Sequence, residues 1–274
     1  MKKKIIIAAL VLAIALSVVL AFTVGAGADK AEPELMFAGK GLVMESSVNI
    51  RYIVGAQNVE NINDVKVLVW TAPQESYIKG TEKYVVEYSG KTTSKDGVTY
   101  YYYEFDGVAA KMLATDFYAV VYTKVGDAEY YSAPDKYSVL KYSYNMMGKL
   151  DKAASTNEKL LALIDEMLEY GASAQIYFDY KTDHLANAEF YQIKTVGGTL
   201  SDGFTDGLYV KGDTVEITAN TPTEGYEFAG WQNKAGEIVL TDAICAYVRN
   251  KIDNTGEKYY LGMEEILTSH NVQD

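Results

Sequence analysis

The stretch "GYEFAGW", Gly225 to Trp231, sets three aromatic residues and two glycines in seven positions. It reads either as a surface platform on which a sugar ring stacks or as the packed core of a small β module. Tyr226 and Phe228 are two apart and share one face of a strand. Gly230 permits a bulge that turns Trp231 onto the same side. A module of about 80 residues without a disulfide needs large side chains inside it, and burying one Phe contributes about 1.5–3 kcal/mol. Core is the expectation, so the stretch marks a fold and not a ligand site.

Outward from it, residues 191–239 alternate short strands with glycine-rich turns, and further strands are expected at "AYVRN" and "KYYLGME". The polar run "KTDHLANAEF", Lys181 to Phe190, separates this module from what precedes it. From Leu42 to about Pro134 the period is that of strands. "SVNIRYIV" alternates Val48, Ile50, Tyr52 and Val54 with Asn49 and Arg51, and "VKVLVW" closes before Pro73. "KYVVEYSG" and "VTYYYYEF" flank the turn signal Asp96-Gly97, and "FYAVVYTKV" and "AEYYSAP" flank Gly126-Asp127. "AAKMLATD" suits a single helical turn.

The period then changes to helical. "SVLKYSYNMMGKL" puts Leu140, Tyr144 and Met147 on one face, with Ser138 as N-cap. In the longer helix, Ser155 and Glu158 form a capping box. Leu160, Ile164, Met167, Leu168, Gly171, Ala174 and Phe178 form its apolar stripe. Glu158 to Asp179 would span about 33 Å. Gly171 costs up to about 1 kcal/mol against Ala in a helix interior, so its place on the stripe implies a close approach of another backbone.

The order "VGGTL", "YVKGDTVEITA", "GYEFAGW" resembles the bacterial surface repeats of the Listeria–Bacteroides, or InlB B-repeat-like, family. The resemblance covers about Tyr191 to Leu267 and implies a small β-grasp-like module of secreted or wall-attached proteins; only one copy is visible, where tandem copies are usual. "YSVLKYSYNMM", followed by the "YGA-x-AQ-x-YF" core (Tyr170, Gly171, Ala172, Ala174, Gln175, Tyr177, Phe178) and "HLAN", is similar to a module of large secreted clostridial proteins. That resemblance implies location and company, and no mechanism.

At the start, Lys2, Lys3 and Lys4 precede an apolar run from Ile5 to Phe22 broken only by Ser17, and "AGA" ends at Ala28 before Asp29. This is the order of a secretory signal peptide cut between Ala28 and Asp29; a run of this length could also stay as an anchor. Export with the single cysteine Cys245, which can form no internal disulfide, fits a bacterial source, particularly an anaerobic one, and the clostridial resemblance implies a Gram-positive one. Without the leader lysines, 22 basic residues face 37 acidic ones, a net charge of −15. No basic patch is visible, which argues against a nucleic-acid partner.

The chemical constellations are weak. His184 and His270 lack zinc spacing, and Ser173 lies mid-helix outside any G-x-S-x-G elbow. Asp165, Glu166 and Glu169 read as a solvated helix face, Glu264-Glu265 stand near the end, and no cleft is implied for a glycosidase pair. Asp202, Asp206, Gly207 and Asp213 match positions 1, 5, 6 and 12 of a calcium loop, but Phe204 stands where position 3 needs oxygen. The tyrosines, 24 in all, offer the better candidate. In "TYYYYEF", Tyr100 and Tyr102 share a face with Glu104, while Tyr101 and Tyr103 share theirs with Phe105. Tyr100 and Tyr102 are therefore expected to face out as a ligand-binding strip.

The expected protein is mainly β with α. A signal peptide (1–28) precedes a β-sandwich-like domain capped by two helices (29–187) and a β-grasp-like surface-repeat module (188–274). Its expected role is exported, non-enzymatic interaction at the cell surface, by adhesion to a glycan or a surface protein. It needs no cofactor or metal, and meets a membrane only through an uncleaved leader. A structural spacer and a polysaccharide hydrolase are the alternatives. A concave site gathering polar side chains would separate these readings most sharply.

Overall fold

The computed structural model describes residues 31–45, 47–149, 155–210, 212–240, 244–248 and 265–273. The leader with its Ala28–Asp29 junction, the "KYYLGME" segment and the side chains of Cys245, Glu264, Glu265 and His270 lie outside the described residues. The chain is mostly β, with several antiparallel sheets and two helices, as expected of a β-sandwich-like fold with added helices. It divides into two compact units interleaved in sequence. The first takes the described residues of Met1–Val69, Lys79–Gly107 and Val120–Asp135; the second takes Trp70–Ile78, Val108–Ala119 and Lys136–Asp274.

In the first unit, β1 (Glu34–Met44), β2 (Val48–Gln57), β5 (Tyr88–Lys95) and β6 (Val98–Phe105) form a sheet of order β1-β2-β6-β5. β2 pairs with β6 so that Ile50 meets Phe105, Tyr52 meets Tyr103 and Val54 meets Tyr101. Ile50, Tyr52, Val54, Tyr103 and Phe105 are buried, so this face is the core. The Tyr103 hydroxyl donates to the Val65 carbonyl at 3.2 Å, and Tyr84 packs on Phe105 with ring centroids 5.0 Å apart. A buried phenol is thereby both packed and satisfied. The turn between β5 and β6 puts Asp96 at φ 52° and Gly97 at φ 78°, the doubly left-handed geometry of a tight hairpin.

β1 begins eight residues before the strand pattern becomes legible in sequence, because its pairing with β2 slips at a bulge between Phe37 and Gly39 and breaks the alternation. A second sheet has the order β4-β3-β7-β8, from β3 (Lys66–Trp70), β4 (Tyr84–Val86), β7 (Phe117–Val125) and β8 (Ala128–Tyr131). Every residue of β7 from Phe117 to Thr123 is buried, the mark of a strand covered on both faces.

Short β9 (Asp135–Tyr137) leads into α1 (Val139–Lys149) of the second unit. Ser138 caps α1 by accepting the Lys141 amide at 3.1 Å. α2 (Ser155–Tyr177) buries Ile164, Leu168, Gly171, Ala172, Ala174 and Gln175. The close approach at Gly171 differs from expectation, since side chains and not a backbone make it. A Cβ there would stand 2.8 Å from Leu113 Cδ1 and 3.2 Å from Ala186 Cβ. Phe178 also departs from the expected stripe: it follows the helix end and is exposed.

The remaining strands are β10 (Phe190–Val196), β11 (Gly198–Leu200), β12 (Asp206–Val210), β13 (Thr214–Ala219), β14 (Tyr226–Gln232), β15 (Ile238–Leu240), β16 (Ile244–Val248) and β17 (Glu265–Gln273). They form sheets of order β12-β10-β17-β14-β15 and β11-β13-β16. β10 and β17 lie parallel in the middle of the larger sheet. Trp231 is 0% exposed in a core with Ile193, Leu200, Val215, Ile217 and Leu267. Gly230 has φ 149° at a register slip in β14, and the Phe228 and Trp231 rings meet edge to face at 5.7 Å. "GYEFAGW" is thus core at its Phe and Trp; Tyr226 lies outside that core and is exposed.

Candidate functional site

The face of β6 opposite the core carries Tyr100, Tyr102 and Glu104, all half-buried. Register places Arg51 beside Glu104 and Ile53 beside Tyr102. Gly55 on β2 is covered from this side, since a Cβ there would lie 3.0 Å from Met36 Cγ and 3.6 Å from Tyr100 Cε1. Gly41 of β1, paired with Arg51, has nothing within 4 Å of a Cβ, so the open space on this face lies there.

The two rings are not equivalent. The Arg51 guanidinium stands 4.7 Å from the centre of Tyr102 and donates from Nη2 and Nε to Glu104 Oε1 at 2.8 and 3.0 Å. Burial pulls the Glu104 carboxyl up, but Arg51 and Lys91 outweigh it and hold the group below its ordinary range. Tyr102 is thus already stacked from within.

The second unit contains what the sequence did not disclose, a concave polar site. A cavity of about 240 Å³ has Thr115, Asp116, Tyr118, Ser138 and Phe190 among its walls, with Lys181 and His184 also lining it. Thr115, Tyr118, Ser138 and Phe190 are buried; Lys181 and His184 are exposed and form the rim. Gln175 fixes that rim. Its amide donates to the carbonyls of Lys181 and His184 at 3.1 and 2.9 Å, and its oxygen accepts the Ala186 amide at 2.7 Å. The Gly-Ala-x-Ala-Gln part of the α2 motif is accordingly packing and loop anchoring, whereas Tyr170 and Tyr177 are exposed.

Asp116, between the 3-10 turn Ala110–Met112 and β7, is the carboxyl group in the cavity wall. Burial raises its pKa, against the pull of Lys136 and a hydrogen bond from Ser138. Lys136 pairs with Asp202 and Lys141 with Asp206. A smaller recess of about 20 Å³ touches both Asp116 and Asp206. Burial works against ionisation of Asp206, but Lys141, Lys136 and Gln192 hold it ionised. Two carboxyls pushed in opposite directions are the usual mark of an acid and a base, yet this recess is about one water in size and admits no sugar between them.

The acidic residues at calcium-loop spacing have other partners. Asp202 and Asp206 serve Lys136 and Lys141, while Asp213 meets His184 at 3.0 Å and accepts the Val210 amide. Of the three acidic residues expected on the solvated face of α2, only Glu166 is fully exposed; Asp165 and Glu169 are half-buried, and Glu169 accepts from Asn187 at 2.8 Å. Among the described residues, no three His, Cys, Asp or Glu gather as metal ligands, and no helix is long and apolar enough to cross a membrane. Asp116 could not be singled out in sequence, since "ATDFY" is a lone carboxylate whose neighbours in space come from residues 136–141 and 202–206.

Residues 192–251 match the family described as the divergent InlB B-repeat domain, about a fifth of the chain. Domains of this family are typical of bacterial surface proteins. No curated protein and no solved structure matches the chain.

Proposed function

We propose that this is an exported, non-enzymatic interaction protein of a bacterial surface, and that it meets a glycan or a surface protein through the face of β6 that carries Tyr100 and Tyr102. The repeat match over residues 192–251 is the observation that carries the surface assignment. The half-buried rings of Tyr100 and Tyr102, on the face opposite the core, support the contact site. Aromatic contact, not charge, would supply most of the binding energy, so affinity should depend weakly on salt. The stacking of Arg51 on Tyr102 favours a second reading, a structural spacer whose tyrosines are internal braces. A glycan and surface-protein array, probed with the parent chain and with the Tyr100→Ala/Tyr102→Ala variant at low and high salt, separates the two. Loss of binding in a folded variant supports the contact site; undiminished binding, or an unfolded variant, makes the strip structural.

A further inference from the structure

The polar cavity of the second unit has the dimensions and chemistry of a site for one small ligand. Pockets for drug-sized molecules run to about 300–1,000 Å³; at about 240 Å³ this one suits something smaller, on the scale of a single sugar ring. Its walls combine apolar area from Phe190, Leu140 and Leu208 with polar atoms from Thr115, Asp116 and Ser138. A pyranose has the same division, with C–H faces and hydroxyl edges.

Charges of both signs border the cavity: Asp116 lies on its wall with Lys136 acting on it, and Lys181 stands on its rim. Neither sign dominates, so hydrogen bonding and apolar contact set what the cavity takes. An ionised carboxylate has about four acceptor positions, of which the Ser138 hydroxyl uses one. Vicinal hydroxyls on a ring can donate to two of the others together.

Asp116 is an uneconomical choice for structure alone. An acid whose native pKa is raised destabilises the folded state wherever it ionises, and Lys136 and Lys141 already have Asp202 and Asp206 as partners. We propose that the cavity walled by Thr115, Asp116, Ser138 and Phe190 binds one neutral pyranose ring, with Asp116 accepting hydrogen bonds from adjacent ring hydroxyls. This rests on the glycan branch of the proposed function and adds, beside the β6 face, a separate single-ring site in the second unit.

Ligand-observed NMR with a panel of neutral hexoses and N-acetylhexosamines tests it, each sugar offered free, as its methyl glycoside and as an oligomer. The full chain, Asp116→Asn and Tyr100→Ala/Tyr102→Ala are compared. The expected result is saturable binding of at least one sugar, weakened about tenfold or more by Asp116→Asn and unchanged by the tyrosine pair. Binding of the glycoside and oligomer assigns the site to a chain end; binding of the free sugar alone assigns it to a monosaccharide. Binding lost in the tyrosine variant and kept in Asp116→Asn overturns the cavity site while leaving the glycan reading in place. No binding of any neutral sugar by the parent chain overturns the cavity site, and failure of the surface-protein and glycan arrays as well removes the wider reading.

Discussion

Replacing Gly198 with Ala should destabilise the C-terminal module through a contact that has no room to relax. An added Cβ would lie 2.3 Å from Cη2 of the Trp231 indole and 2.4 Å from the Thr218 carbonyl oxygen. The oxygen belongs to the backbone of β13, which pairs with β11 at Thr199–Thr218, so stepping aside would break the ladder. The indole cannot retreat either, because it is fully enclosed. Overpacking of a dense core costs about 1–3 kcal/mol, and with two blocked directions the upper half of that range is expected. Urea titration followed by Trp231 fluorescence, with Trp70→Phe in parent and variant alike, measures the loss. Gly41→Ala is the control: nothing lies within 4 Å of a Cβ there, so its effect should stay within about 0.5 kcal/mol. A Gly198→Ala loss below about 0.5 kcal/mol would refute the packing of "GYEFAGW" as a core.

Gly171→Leu should lower the melting temperature by several degrees, since even the first carbon meets Leu113 and Ala186; a change under about 0.5 kcal/mol contradicts it. Arg51→Ala should cost about 1 kcal/mol at pH 7. Because the folded pKa of Glu104 is depressed, that stabilisation is present above its unfolded value of 4.5 and fades as pH falls through the native value, so the variant should lose less stability than the parent in acid denaturation. Asp116 has the opposite sign: its raised native pKa makes stability fall as pH rises from 3.8 through that value, so Asp116→Asn should be the more stable protein at pH 7, with the gap closing below 3.8. N-terminal sequencing of the exported protein should begin at or near Asp29; a full-length chain found only in membranes would show the leader is kept.

Strand alternation and turn chemistry made most elements legible. Asp96-Gly97 and Gly126-Asp127 mark two hairpins because left-handed backbone demands such residues, and Ser138 announces α1 through its cap. β1 was legible only from Leu42 onward because a bulge and two glycines erase its period. No strand was read over β17, the central parallel partner of β10, because "EILTSHNVQ" is largely polar. The core side of β6 followed from Phe105 and Glu104, but the Arg51 stack on Tyr102 depends on a cross-strand register that no local pattern encodes. The cavity was illegible for the same reason: Thr115, Ser138, Gln175 and Phe190 are far apart in the chain and each is ordinary in its own segment.

The central claim is that this protein holds a surface ligand and leaves it chemically intact. Mass spectrometry of each array-positive glycan or peptide, recovered after prolonged incubation with the protein, tests this most directly. The account predicts saturable binding and recovery at unchanged mass. Turnover that disappears on replacing one acidic residue, Asp116 first, would show an enzyme and contradict it.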